Sequence, residues 1–131
     1  MKTILLVDDD ADFAEAIGFN LRANGFAVIT ASSGREGVRL AKMERPDLVI
    51  MDVVMGERME GLFAVRELRR SADLKDVPVF VISSLSSQAP DFGVAPGAEW
   101  MGCDEFLAKP VDMPDLLARI SRRLAAGGNA A

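Results

Sequence analysis

The chain of 131 residues has the length of one domain, and half of its residues are hydrophobic. Its 15 Lys+Arg and 20 Asp+Glu give a net charge of −5, which disfavours direct nucleic-acid binding because phosphate recognition requires a basic face. The chain has no His and a single Cys, so a His-containing catalytic triad, a His metal site and an internal disulfide are excluded. No apolar run reaches the length of a membrane span, and we expect a cytoplasmic protein with no membrane partner.

Short apolar runs alternate with amphipathic segments along the chain. The runs predict strands at 3–7, 27–31, 48–51, 79–82 and 105–107. The amphipathic segments predict helices that begin at Asp10 or Asp12, at Ser33, near Gly61 and near Asp112. We expect one domain over 1–126 and a flexible C-terminal tail at 127–131.

The alternation of strands and helices predicts an α/β fold in which a parallel sheet is covered by helices on both faces. The fourth helix region, between the fourth and fifth strands, is predicted to be irregular because prolines and glycines interrupt residues 85–102. The carboxyl ends of parallel strands meet at one edge of a sheet, where such folds bind their ligands. The residues that end the strands are therefore the candidates for function.

Polar residues stand at the carboxyl ends of four predicted strands: Asp8, Asp9, Asp52, Ser83 and Lys109. Crowded carboxylates repel one another, and a hard divalent cation such as Mg²⁺ offsets the repulsion. One carboxylate can then act as a nucleophile toward a phosphoryl group, whose oxygens the metal, a hydroxyl and an ammonium hold. Taken singly, the residues have simpler explanations: Asp8 and Asp9 could cap a helix, and Asp52 could merely close a buried strand. Ser83 could form a turn, and Lys109 could be solvated surface.

Four segments, in order, resemble the signature segments of response-regulator receiver domains. They are Val7-Asp8-Asp9, Met51-Asp52-Val53-Val54-Met55, the run from Pro78 to Ser84, and the run from Asp104 to Pro110. The resemblance extends from Lys2 to about Ala125. It implies a doubly wound (βα)5 flavodoxin-like sandwich, in which a parallel five-stranded sheet has the strand order 2-1-3-4-5.

The resemblance implies that Asp52 is the phosphoacceptor. It also implies an Mg²⁺ site formed by the side chains of Asp8, Asp9 and Asp52 and by the backbone carbonyl of Val54. The family takes its phosphoryl group from a phosphohistidine on a sensor histidine kinase or a histidine phosphotransfer protein. The absence of His from this chain fits a donor on another chain.

The resemblance assigns the remaining positions to holding the phosphoryl group and to the switch. Ser83 and Lys109 are expected to contact the phosphoryl oxygens, and Ser83 and Phe106 are expected to move on activation. The change would alter the affinity for a downstream protein that the sequence does not identify, and a phosphorylation-dependent dimer is one form of that response. Such a protein modifies its own side chain and is not a turnover enzyme.

The chain departs from the family pattern at Gly56, where a proline is usual, and in the long stretch from Ser83 to Lys109. These departures keep open a pseudo-receiver, which would act as a phosphorylation-independent interaction module. An aspartate-nucleophile hydrolase is disfavoured because Val54 occupies the position of its acid/base aspartate. A flavin-binding protein is disfavoured because three aspartates after the first strand would repel a phosphate.

Overall fold

A computed structural model of the chain describes residues 1–52, 60–83, 104–108 and 111–130. The described elements, in chain order, are β1 (Thr3–Val7), α1 (Ala11–Ala23), β2 (Ala27–Ala31), α2 (Gly34–Glu44), β3 (Leu48–Asp52), α3 (Glu60–Arg70), β4 (Val79–Ser83), β5 (Glu105–Ala108) and α4 (Met113–Ala130). The strands and helices fall where the apolar runs and amphipathic segments predict them. The expected irregular helix region between β4 and β5 lies outside the described residues.

The five strands form one parallel sheet in the order β2-β1-β3-β4-β5. β1 therefore lies between β2 and β3, and Val7 at its end pairs with Ala31 on one side and Met51 on the other. β3 pairs in turn with β4, with Asp52 beside Ile82. This topology confirms the predicted α/β fold and its strand order.

The side chains of the strands alternate between two core clusters, one on each face of the sheet. Leu5 and Val7 pack with α2 and α3 through residues such as Leu68. Ile4 and Leu6 pack on the opposite face with α1 and α4. Because both faces are covered, the central strands are apolar along almost their whole length.

Side-chain caps begin α1 and α2. Asp10 precedes α1, and its Oδ1 accepts a hydrogen bond from Phe13 N at 3.1 Å. Ser33 precedes α2, and its Oγ accepts a hydrogen bond from Glu36 N at 3.1 Å. These caps satisfy backbone N–H groups that have no partner within the helix. Of the two caps that the sequence allows for α1, the structure uses Asp10.

A network of hydrogen bonds ties β4, β5 and α3 together at the amino edge of the sheet. Asp104 Oδ2 accepts hydrogen bonds from Val79 N at 2.8 Å and from Arg69 Nη2 at 2.9 Å. Arg69 Nη1 also donates to the carbonyl oxygen of Val77 at 2.7 Å. One carboxylate thus links the starts of two neighbouring strands to the end of a helix.

Helix α4 is attached to β5 by a second ion-pair group. Arg119 donates to Glu105 at 2.6 Å and to Asp115 at 2.9 Å. Hydrogen bonds to Asp115 and Glu105 raise the pKa of Arg119 above its ordinary value, so its guanidinium stays charged. Arg123 adds a contact to Glu105 at 3.3 Å. The charged face of α4 is therefore fixed against the edge strand of the sheet.

Helix α4 continues past residue 126, where the sequence predicts the end of the domain. Its backbone is helical to Ala130, so the helix includes Gly127 and Gly128. The flexibility of residues 127–131 stays a prediction. Although α4 has 18 residues, none of the helices in the described part of the chain is long and apolar enough to cross a membrane.

Gly37 in α2 marks a close approach of a helix to the sheet. A Cβ atom at this position would lie 2.7 Å from Val7 Cγ2, inside the core. We expect Gly37→Ala to lower the free energy of unfolding by about 1–2 kcal/mol, because overpacking outweighs the better helix propensity of alanine. Urea unfolding followed by circular dichroism measures the change.

Gly18 in α1 provides the matched control. A Cβ atom there would meet Arg22 Nη1 at 3.5 Å, which is an ordinary contact with the end of a flexible side chain. Gly18→Ala should raise the free energy of unfolding by up to about 1 kcal/mol. Equal stabilisation by both substitutions would contradict the close packing of Gly37 on Val7.

The cap of α1 gives a second prediction. Replacing Asp10 by Ala removes the acceptor for Phe13 N and should lower the free energy of unfolding by about 1 kcal/mol. Asp10→Asn should retain most of the stability because asparagine caps helices about as well as aspartate. If both variants lost the same stability, the charge of Asp10 rather than its hydrogen bond would be responsible.

Candidate functional site

The two central strands β1 and β3 end at the same edge of the sheet, and carboxylates stand at both ends. Asp8 and Asp9 follow β1, and Asp52 is the last residue of β3. Because β1 and β3 pair directly, with Val7 beside Met51, the three side chains converge. One carboxylate oxygen from each of the three residues lies within 4.8 Å of the other two.

The three carboxylates differ in their exposure to solvent. Asp8 is 4% exposed and Asp52 is 5% exposed, whereas Asp9 is exposed at the mouth of the site. Among the residues whose side-chain burial is described, Asp8 and Asp52 are the only buried polar or charged ones. Burying two neighbouring carboxylates is costly unless other groups offset their charge. The cluster is therefore a site that favours positive charge.

The turn after β1 fixes the orientation of Asp8. Its backbone N–H donates to the carbonyl oxygen of Ala31 at 3.0 Å, which continues the pairing with β2 beyond the end of the strand. Its Oδ1 accepts a hydrogen bond from Asp10 N at 2.9 Å. Three consecutive aspartates thus divide their roles, since Asp10 caps α1 while Asp8 and Asp9 face Asp52.

The donor set fits a small, hard divalent cation. All three side chains offer oxygen ligands, which Mg²⁺ prefers, and they come from two adjacent strand ends. Because one oxygen from each of the three carboxylates lies within 4.8 Å of the other two, the three side chains are close enough together to share one such ion.

The other residues implied for the site occupy the same edge or lie outside the described residues. Ser83 is the last residue of β4 and pairs with Ala108 at the end of β5. Lys109 follows Ala108 directly in the chain, but Lys109 and Val54 fall outside the described residues. The sheet therefore places Ser83 on the strand next to that of Asp52, one residue after Ile82, which is the register partner of Asp52.

Phe106 lies on β5 in register with Val81 of β4. Its ring is half-buried and packs against the core cluster on the α2 and α3 side of the sheet. Val81 lies two positions before Ser83, and Phe106 lies two positions before Ala108, the register partner of Ser83. The implied switch residues therefore lie on neighbouring strands, offset by two residues in register.

A shallow depression beside Asp8 was not predicted from the sequence. It runs between the start of α1 and the start of α2, and the acidic side chains of Glu15 and Glu36 line it together with Arg22. Glu36 Oε1 accepts a hydrogen bond from Ser32 N at 2.8 Å. In the sequence these residues are indistinguishable from ordinary helix-surface and capping positions, so no local signal could reveal that they lie near Asp8.

Comparison with known proteins identifies the family. A family model described as the response regulator receiver domain matches residues 4–121. Response regulator MprA of Mycolicibacterium vanbaalenii is 38% identical over 117 residues, which are 89% of this chain and 48% of MprA. The chain spans about half the length of MprA and of several other curated relatives.

Other relatives match the chain over nearly their whole length. Protein PilH of Pseudomonas aeruginosa is 34% identical over 126 residues, covering 95% of this chain and 99% of PilH. The solved receiver domain of sensor histidine kinase PA1611 from the same species has a TM-score of 0.82 and 27% identity, covering 95% of this chain and 98% of its own. That structure has a magnesium ion coordinated in its active-site cleft. The match over most of the chain and the shared fold lead to one conclusion: the chain belongs to the response regulator receiver domain family of two-component signalling.

Proposed function

We propose that the chain accepts a phosphoryl group on Asp52 in a two-component phosphorelay. The observation that carries the proposal is the position of Asp52 at the buried end of β3, with its carboxylate within 4.8 Å of those of Asp8 and Asp9. Membership of the receiver family supports this role, and the matching segments around Asp52 are among those that carry the resemblance.

In the proposed reaction, a carboxylate oxygen of Asp52 attacks the phosphorus of a phosphohistidine. The new O–P bond forms an acyl phosphate, the P–N bond breaks with its electron pair going to the ring nitrogen, and the ring leaves as neutral imidazole because its other nitrogen carries a proton. Burial of Asp52 limits water at the reacting oxygen, and the chain modifies only its own side chain. The protein is therefore proposed to be a signalling module rather than a turnover enzyme.

Asp8, Asp9 and Asp52 are proposed to hold Mg²⁺, with the backbone carbonyl of Val54 as a further ligand. When bound, Mg²⁺ neutralises negative charge on the carboxylates and the phosphoryl oxygens. The donor set of the three carboxylates and the magnesium ion in the related PA1611 receiver domain support this assignment. The exposed position of Asp9 leaves the mouth of the site open to an incoming phosphoryl group.

Ser83 and Lys109 are proposed to hold the phosphoryl oxygens, and Ser83 and Phe106 to form the switch. The position of Ser83 at the end of β4, next to the strand that carries Asp52, supports this role. The ring of Phe106 supports this role because it is half-buried and packs against the core cluster, into which it can turn further. Phosphorylation would then shift the population toward a state with a different affinity for a partner.

The phosphoryl donor is proposed to be a sensor histidine kinase or a histidine phosphotransfer protein in the cytoplasm. The 131 residues of this sequence contain no His, so the phosphohistidine lies outside this sequence. The downstream protein is not identified, and a phosphorylation-dependent dimer remains part of the proposal. In longer relatives such as MprA, the matched region is only about half of the protein. This supports a receiver whose signal is passed on by a partner or by another segment.

Mg²⁺ should stabilise the protein through the carboxylate cluster. At an Mg²⁺ concentration of 100 times the dissociation constant, the stabilisation is about 2.7 kcal/mol, which corresponds to a rise in Tm of about 10 °C for a domain of this size. Asp9→Asn should remove most of this shift because it deletes one ligand. Differential scanning calorimetry with and without Mg²⁺ measures the effect.

Asp12→Asn is the matched control for the Mg²⁺ experiment. Asp12 is an exposed carboxylate in the first turn of α1 and does not belong to the cluster. This variant should keep the full rise in Tm. An equal rise in wild type, Asp9→Asn and Asp12→Asn would show that Mg²⁺ binds elsewhere and would contradict the proposed metal site.

Asp52 should be the single residue that becomes phosphorylated. Incubation of the full chain with acetyl phosphate and Mg²⁺ should add one phosphoryl group, detected by intact mass spectrometry. Asp52→Ala and the addition of EDTA should each abolish the adduct, whereas Asp12→Ala should retain it. The absence of any adduct, together with failure of beryllofluoride to raise the Tm, would favour the pseudo-receiver.

A further inference from the structure

The helices α2 and α3 border an open groove on one side of the sheet. Its walls are formed by residues of both helices, namely Arg35, Val38, Arg39 and Lys42 of α2 and Phe63 and Glu67 of α3. Helices α1 and α4 pack on the opposite face of the sheet. The groove is therefore separate from the elements that cover the other face, and none of its residues has a role in the proposed phosphoryl chemistry.

The floor of the groove is apolar. Phe63 is 66% exposed although it lies on a helix whose opposite side is buried in the core. Val38 is half-buried next to it across the groove. Isolated exposed apolar residues are common, but here an aromatic ring stands in a concave surface between two helices, where a partner side chain can cover it.

The rim of the groove is basic. Arg39 and Lys42 are three residues apart in α2 and therefore lie on one face of the helix. Within the described parts of the chain, neither side chain lies within ion-pair distance of a carboxylate, and Arg39 Nη1 contacts the sulfur of Met43 at 3.6 Å. The one acidic residue of the groove, Glu67, pairs with Arg70 at 3.3 Å, so its charge is offset.

We propose that this groove binds an acidic amphipathic helix of another protein. A helix laid between α2 and α3 can place apolar side chains on Phe63 and Val38 and carboxylates against Arg39 and Lys42. The chain as a whole has a net charge of −5, so the positive rim is a local feature of the groove. This rim favours an acidic partner over a basic one. This inference goes beyond the phosphoacceptor role and does not depend on the modification of Asp52.

A second copy of this chain fits the groove less well. In a symmetric dimer the groove would face itself, and Arg39 and Lys42 would oppose the same cations of the other copy. The exposed, acidic stripe of α1 around Glu15 and Phe19 could enter the groove of another copy. Such a head-to-tail contact joins opposite faces of the sheet and would continue from copy to copy into a ring or an open chain of molecules.

Binding of a designed peptide by the full chain tests the proposal. The probe is a fluorescein-labelled, capped 18-residue helical peptide with a leucine stripe flanked by glutamates, and its matched control carries lysine at every glutamate. Fluorescence anisotropy should show binding of the glutamate peptide and about tenfold or weaker binding of the lysine peptide. Absence of binding, or equal binding of both peptides, would overturn the proposal.

Substitutions in the groove assign the binding surface. Arg39→Glu with Lys42→Glu, and separately Phe63→Ala, should each weaken binding of the glutamate peptide at least about tenfold. The matched controls are Lys2→Glu with Lys75→Glu, which makes the same change in net charge, and Phe19→Ala, which removes an equally exposed ring from α1. Loss of binding in the controls as large as in the groove variants would contradict a specific site.

Two further measurements separate this inference from the alternatives. Asp52→Ala should bind the peptide as tightly as wild type. A loss of phosphorylation can therefore be distinguished from a loss of peptide binding. Sedimentation equilibrium of the protein alone should show a monomer at the concentrations used for anisotropy. Self-association that Arg39→Glu with Lys42→Glu abolishes would assign the groove to a second copy and overturn the proposal.

Discussion

A sheet that is covered by helices on both faces has no room for charged side chains in the middle of its strands. In β1, Leu5 and Leu6 point into opposite core clusters, so neither position can be polar without burying an unpaired group. Charged residues are therefore confined to the strand ends. Direct pairing of β1 with β3 then brings Asp8 and Asp52 together, so the carboxylate cluster follows from burial and register.

Much of the fold and the centre of the site could be predicted because they depend on strong local signals. The apolar run of β1 and the three aspartates after it already indicate a buried strand that ends in a polar turn. The sequence leaves the cap of α1 open between Asp10 and Asp12, because both are aspartates with the same capping propensity. The turn itself decides it, since Asp8 accepts from the backbone of Asp10.

Features that join distant segments could not be predicted from local patterns. The amphipathic pattern of α2 indicates that Arg39 is exposed, and that of α3 places Phe63 near its solvent side, but neither pattern gives the distance between the helices. The link between Arg69 and Asp104 is likewise invisible in the sequence, because 35 positions separate them.

The carboxylate of Asp104 has a consequence for how the chain tolerates changes in length. It fixes the start of β5 to Val79 and Arg69, while the pairing of Ser83 with Ala108 fixes the other ends of the same two strands. The alignment of β4 and β5 is thus determined at both edges by residues outside the connection 84–103. Each doubling of the length of a connection adds only about 0.6 kcal/mol of closure entropy. A change in the length of the connection should therefore leave the pairing of β4 with β5, and the positions of the aspartates across the sheet, unchanged.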